Sequence, residues 1–157
     1  MALFNSSISA IMHVSPKWLF KPFAQSYVAG ESIDSALDVV RQLNENGFSA
    51  TMDILGEFVH SESEAHQITK QYSRLIRQIS QTGLDSTISV KLTHLGLEFD
   101  PILGEKNILQ LAQVGKENNV GVTIDMENSP YTSTTFELYN KTLSVHNKMG
   151  TVIQAYL

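Results

Sequence analysis

Strand-like and helix-like periodicities alternate along this chain, and each returns after about 30–40 residues, the length of a βαβ unit. Past an irregular leader, Ile33, Ala36, Leu37, Val40 and Leu43 fall at helical spacing, and Asn46-Gly47 reads as a helix stop. A strand is predicted over about Ser49–Leu55. Ser61-Glu62-Ser63-Glu64 is a capping-box signature, and the helix it opens buries Ala65, Ile68, Tyr72, Leu75, Ile76 and Ile79. The second strand is Ile88–Thr93. Ile108, Leu111, Ala112 and Val114 predict a shorter helix that ends near Asn118-Asn119. A third strand, Val122–Glu127, leads to a helix over Thr132–Val145 and then to a last strand, Thr151–Leu157.

Strands separated by helices pair in parallel through right-handed crossovers. No glycine-rich phosphate loop follows any strand, neither G-x-G-x-x-G nor the P-loop type, which argues against a dinucleotide-binding Rossmann domain. The predicted fold is α/β, a partial (β/α)8 TIM-type barrel. It comprises about the first four βα strands plus N-terminal helices, with the C-terminal half missing. A parallel strand needs cover on both faces, and no helix follows Leu157. Residues 1–30 are therefore read as an N-terminal arm, and 31–157 as the N-terminal half of a barrel truncated at its C-terminus. The competing reading is a short half-barrel that self-associates.

Composition narrows the function classes. The 157 residues, 42% hydrophobic and 17% charged, suit one globular domain. A net charge of -5 without Lys/Arg clusters argues against nucleic acid as a partner. With no cysteine there are no disulfides, thiolate metal sites or thiol chemistry. The leader lacks the basic start of a secretory signal and the arginines of a transit peptide, and no apolar run is long enough to span a membrane. The expected location is cytoplasmic, with at most peripheral contact at the inner membrane. His13, His60, His66, His94 and His146 show no metal-ligand spacing and are read as surface or capping residues, so no metal is expected. Trp18 is read as an anchor for the leader. Glu57 is read as a helix-start carboxylate in preference to a loop ligand.

Side chains alternate faces along a strand. Ile88, Val90 and Leu92 then share one face, leaving Ser89, Lys91 and Thr93 on the other. Ala50, Met52 and Ile54 likewise oppose Asp53; Val122, Ile124 and Met126 oppose Asp125 and Glu127; Thr151 and Ile153 oppose Gln154. If the apolar faces pack on helices, Asp53, Lys91, Asp125 and Gln154 point into the lumen, late in their strands, where barrel enzymes keep their chemistry. Strands lie ~4.8 Å apart, so Lys91 is expected between two carboxylates. A buried ion network would use the same residues, with Met52 and Met126 as packing. Because a buried pair is often no more stabilising than apolar residues, four inward polar positions favour a ligand site.

At these residues the chain resembles the proline dehydrogenase family in its shorter, monofunctional bacterial form. Five blocks carry the likeness in the family's order: Phe23–Ser32 (FAQSYVAGES), Thr51–Glu57 (TMDILGE), Ile88–Leu97 (ISVKLTHLGL), Thr123–Thr132 (TIDMENSPYT) and Val152–Leu157 (VIQAYL). The resemblance implies a flavin-dependent barrel enzyme oxidising L-proline to 1-pyrroline-5-carboxylate, with FAD as cofactor and a quinone as electron acceptor. It implies that Lys91 approaches the substrate carboxylate, with Asp53 supporting it at the substrate side. Lys91 and Asp125 would be catalytic, and Asp125, Met126 and Gln154 would bind the cofactor. One departure is Asn128, where the family usually has aspartate; parity leaves it outside the inward set. The chain also stops before the family's later motifs, including its paired arginines, so it is expected to be a fragment that carries about half of an active site. Homo-oligomerisation is left open, as is a different barrel chemistry using Lys91 as a Schiff-base amine.

Overall fold

The computed structural model describes residues 28–30 and 32–154. Residues 1–27 with His13 and Trp18, all of the Phe23–Ser32 block but Val28–Gly30 and Ser32, and the last three residues of the Val152–Leu157 block lie outside them. The chain divides into two compact units, Met1–Val39 and Val40–Leu157. Within the first, Ser32 and Ser35 open helix α1 (Ile33–Glu45) by exchanging hydrogen bonds: the Ser35 amide donates to Ser32 Oγ at 3.2 Å and Ser35 Oγ to the Ser32 carbonyl at 2.8 Å. In the second unit, Asn44 of the same helix ties its end to the chain ahead of the second strand. Its Nδ2 donates to the Asp85 carbonyl at 3.1 Å and its Oδ1 accepts from the Asp85 amide at 2.8 Å.

The order continues as β1 (Ala50–Met52), α2 (Glu62–Thr82), β2 (Ser86–Val90), α3 (Pro101–Asn118), β3 (Val122–Ile124), a 3-10 turn (Ser129–Tyr131), α4 (Thr132–Val145) and β4 (Met149–Thr151). The four strands pair in parallel, in sequence order β1-β2-β3-β4. A sheet that advances one strand at a time, with helices between, is the progression of a (β/α) barrel; a doubly wound sheet reverses order partway. Register lines up Met52, Ile88, Val122 and Met149 as one rib across the sheet, and all four are buried. Val90 and Ile124 form the next rib, both fully buried.

Helix α2 covers this apolar face with Ala65, Tyr72, Leu75, Ile76 and Ile79, the stripe expected from spacing except for Ile68, which is only half-buried, beside Val59, Ala65 and Leu103. Its capping box forms in a shifted version. Ser61 Oγ accepts from the Glu64 amide at 3.3 Å, whereas Glu64 Oε2 reaches one residue further back, to the His60 amide at 2.8 Å. Helix α3 begins at Pro101, well before the shorter helix read from its apolar residues. Asp100 caps it, with Oδ1 accepting from the Ile102 and Leu103 amides at 2.9 and 3.3 Å, and Pro101 occupies the first turn, where no amide hydrogen is needed. Helix α4 has the bounds expected.

β1 and β3 are shorter than their alternation suggested, β2 starts two residues earlier and ends at Val90, and β4 shares only Thr151 with the strand expected there. Lys91, Asp125 and Asp53 each stand one residue past the last strand residue, and Gln154 three past, so none lies inside a strand. Among the described residues no helix is long and apolar enough to cross a membrane.

Candidate active site

The strand tips and the loops beyond them line a half-open cavity of about 350 Å³. The face that points there is polar from its base: Thr51 and Thr87 lie in register and their hydroxyls meet at 3.1 Å. Above them Lys91 extends its Nζ to Asp53 Oδ2 at 3.0 Å and lies 3.8 Å from Asp125 Oδ2. Strand parity thus placed the lysine correctly between its two acids, although all three sit on loops. The alternation simply persists past the ladder, because backbone pairing continues: the Asp125 amide donates to the Val90 carbonyl at 2.9 Å and the Val152 amide to the Ile124 carbonyl at 3.1 Å.

Each carboxylate is held from behind. Tyr72 of α2 donates its hydroxyl to Asp53 Oδ1 at 2.6 Å, and Ser89 of β2 donates to Asp125 Oδ1. Burial is the largest single influence on Lys91 and pulls its pKa down. The hydrogen bond to Asp53 and the charges of Asp53, Asp125 and Glu57 together outweigh it, so the ammonium is held above the ordinary lysine range. Lys91 is a cation at every physiological pH. Its side chain is only about 21% exposed, which leaves one face toward the cavity.

Met126 and Val152 supply apolar wall, and Gln154, Asn128 and Glu127 supply polar rim. Met126 is itself 5% exposed, so it packs in the core and meets the cavity at once. Asn128 lies on the lining, contrary to its expected place outside the site. Glu57 is also on the lining. It sits in the loop after β1, five residues before α2, so the helix-start reading fails; Glu62 and Glu64 occupy that first turn. Next to it, Phe58 adopts φ 48°, a left-handed conformation rare for an aromatic residue, and turns the loop over the cavity.

Glu127 was legible as inward but not as functional. Its carboxylate receives both the Thr93 amide, at 3.0 Å, and the Thr93 hydroxyl, so it clamps the turn that carries Lys91. Two histidines are buried: His146 ends α4 as its cap, its amide donating to the Thr142 carbonyl at 2.9 Å, in keeping with the capping reading, whereas His94 departs from it. His94 is 5% exposed and lies edge-on to the Tyr72 ring, and His146 is 3% exposed with Nε2 2.9 Å from the Val120 carbonyl. Among the described residues no cluster of His, Asp or Glu is arranged to hold a metal ion.

Comparison with known proteins follows the same lines. A family model described as proline dehydrogenase matches residues 36–157. Proline dehydrogenase 1 of Bacillus subtilis (strain 168) is 40% identical over 134 residues, covering 85% of this chain and 44% of that protein. Proline dehydrogenase of Deinococcus radiodurans is 30% identical over 139 residues, covering 85% of this chain and 45% of the relative. Among solved structures, proline utilization A from Bdellovibrio bacteriovorus, inactivated by N-propargylglycine, matches with a TM-score of 0.78 at 25% identity, over 87% of this chain and 17% of that one. The chain spans about half the length of the curated proline dehydrogenases it matches.

Proposed function

The chain belongs to the proline dehydrogenase family, and from that premise we propose that it supplies the first half of a flavin-dependent site that oxidises L-proline to 1-pyrroline-5-carboxylate. The observation that carries this reading is the Lys91 ammonium, fixed between Asp53 and Asp125 at the floor of a cavity with one apolar wall. Residues 31–157 would form the N-terminal half of the barrel, in a cytoplasmic protein that meets a membrane at most peripherally.

The residues present fit a flavin. A flat ring with a carbonyl edge needs an apolar surface and hydrogen-bonding groups at one rim; Met126 and Val152 offer the surface, and Gln154 offers both an amide donor and an acceptor. Asp125, Met126 and Gln154 would hold FAD. When bound, FAD supplies the two-electron redox chemistry, with a quinone as final acceptor.

The protein supplies position and charge. Of the three Lys91 donors, Asp53 takes one, and the others are available to a substrate carboxylate. Proline, as a zwitterion, also brings a cationic nitrogen. The cavity answers it with the carboxylates of Asp125 and Glu57 on its lining, which with Asp53, the partner of Lys91 off the lining, outnumber the lysine. Ser89 keeps Asp125 turned toward the lysine side, so the two charges of the substrate meet opposite charges in a fixed order.

The test is Lys91→Met in the full-length protein. A charge-assisted hydrogen bond contributes about 1.5–3 kcal/mol, so kcat/KM for proline is expected to fall about 10- to 150-fold while flavin absorbance per protein stays the same. A variant that binds flavin and oxidises proline as fast as wild type overturns the proposal.

A further inference from the structure

We propose that Tyr72 is a positioning residue for this reaction: its hydroxyl fixes Asp53 so that Asp53 presents one oxygen to Lys91 in one direction. The inference rests on the reading above, in which Lys91 holds the substrate carboxylate.

Tyr72 belongs to the buried stripe of α2, where an apolar ring would fill the same space. Burying a hydroxyl there is costly unless it is hydrogen-bonded. The hydroxyl emerges at the base of the site, 2.6 Å from Asp53 Oδ1. It also accepts from the Ile54 amide at 3.3 Å and lies 3.4 Å from the Ile54 carbonyl, so it grips the backbone just after Asp53 as well as its side chain. Asp53 Oδ2 is left for Lys91 Nζ at 3.0 Å. The two oxygens of one carboxylate are thus divided between a helix and the lysine.

That division matters because the terminal torsion of aspartate is broad and roughly two-fold. Without a second partner Asp53 is free to rotate, and Lys91 follows it. Tyr72 is a rigid reference: it is 0% exposed, and its ring meets the His94 ring edge-on at 6.4 Å and 83°. Burial, then the hydrogen bond to Asp53 and its charge, push ionisation of the phenol far into the alkaline range, so it remains a donor whenever the protein is folded.

The experiment compares flavin-loaded full-length wild type with Tyr72→Phe, Asp53→Ala, the double variant and Lys91→Met. KM for proline, kcat per bound flavin and the thermal midpoint are measured for each. Phenylalanine keeps the ring in the α2 stripe, so the fold is retained. Tyr72→Phe is expected to raise KM about five- to tenfold while kcat per flavin changes less than about twofold. In the Asp53→Ala background the same substitution is expected to leave KM unchanged, because the group it positions is gone. A purely structural tyrosine lowers the thermal midpoint and leaves KM alone, which overturns the inference; an equal KM effect in both backgrounds overturns it too. If Lys91→Met raises KM and Tyr72→Phe does not, only the role of Tyr72 falls. If Lys91→Met leaves kcat/KM unchanged, the proposed function falls and takes this inference with it.

Discussion

Gly104 of α3 should be replaceable by alanine at a profit in an ordinary helix, by about 1 kcal/mol. Here the substitution is expected to destabilise. A Cβ at Gly104 would stand 2.6 Å from Leu97 Cα, 2.8 Å from Leu97 N and 3.0 Å from Leu97 Cβ, against ordinary contacts of 3.4–4 Å. Leu97 is buried, and its amide donates to the Leu92 carbonyl at 3.0 Å. Asn107 Nδ2 holds the same turn through the Leu95 carbonyl at 2.9 Å. Backbone anchored in this way cannot swing aside as a flexible side chain would. Overpacking costs about 1–3 kcal/mol; against anchored backbone the upper half of that range, about 2–3 kcal/mol, applies, and the gain in helix propensity leaves a net loss of about 1–2 kcal/mol. For a protein of this size that lowers the thermal midpoint by about 2–8 °C. Urea unfolding of the full-length protein, followed by far-ultraviolet circular dichroism, reads the loss as a lower midpoint with the same slope. A Gly104→Ala protein as stable as wild type, or more so, refutes the claim that this backbone contact is tight.

Thr93→Val keeps the shape of Thr93 but removes the hydroxyl that Glu127 receives, so Glu127 is left with the Thr93 amide alone; unfolding by urea should show a loss of about 1.5–3 kcal/mol, and an unchanged midpoint would remove Glu127 as a clamp. Asp100→Ala strips the two-amide cap of α3 and is expected to cost about 0.5–2 kcal/mol, whereas Asp100→Asn, read in the same assay, should retain most of it. Acid stability tests His94, whose pKa burial holds below the ordinary 6.5, with Lys91 adding to the effect and Asp53 opposing it. The unfolded chain binds more protons in that window, so stability falls as pH drops through about 6.5 and levels off below the folded pKa. Midpoints recorded against pH should lose that step in His94→Gln; an unaltered acid limb refutes the assignment.

Helices were the legible part of this sequence because their signals are local. The α2 cap and stripe, the Asn46-Gly47 stop and the bounds of α4 all follow from neighbouring residues. The start of α3 was missed where Asp100-Pro101, a cap followed by a first-turn proline, announces it more clearly than the apolar residues further on. Strand parity found the lysine and its acids, since alternation depends only on extended backbone. It overstated strand length for the same reason after Ile124, where extended chain runs on past the regular ladder, whereas past Val90 the chain turns at Leu92 and Thr93, which alternation could not show. Pairings between distant segments were invisible. Nothing near Tyr72 hints that its hydroxyl meets Asp53, and nothing near His94 shows that Gly56 leaves room for its ring, where a Cβ would come within 2.5 Å. Glu57 misled because Ser61 lies close by and a carboxylate ahead of a helix usually serves that helix.

Three of the strands are only three residues long, and the charged groups stand on the first residue beyond three of the four strand ends. Their aim therefore depends on single outermost rungs, such as the one from the Asp125 amide to the Val90 carbonyl. Fraying at that margin needs far less free energy than melting the ribs below it. Mild warming or low denaturant would then silence the chemistry while the helical mantle stays intact, and hydrogen exchange at the Asp125 amide would register the onset first.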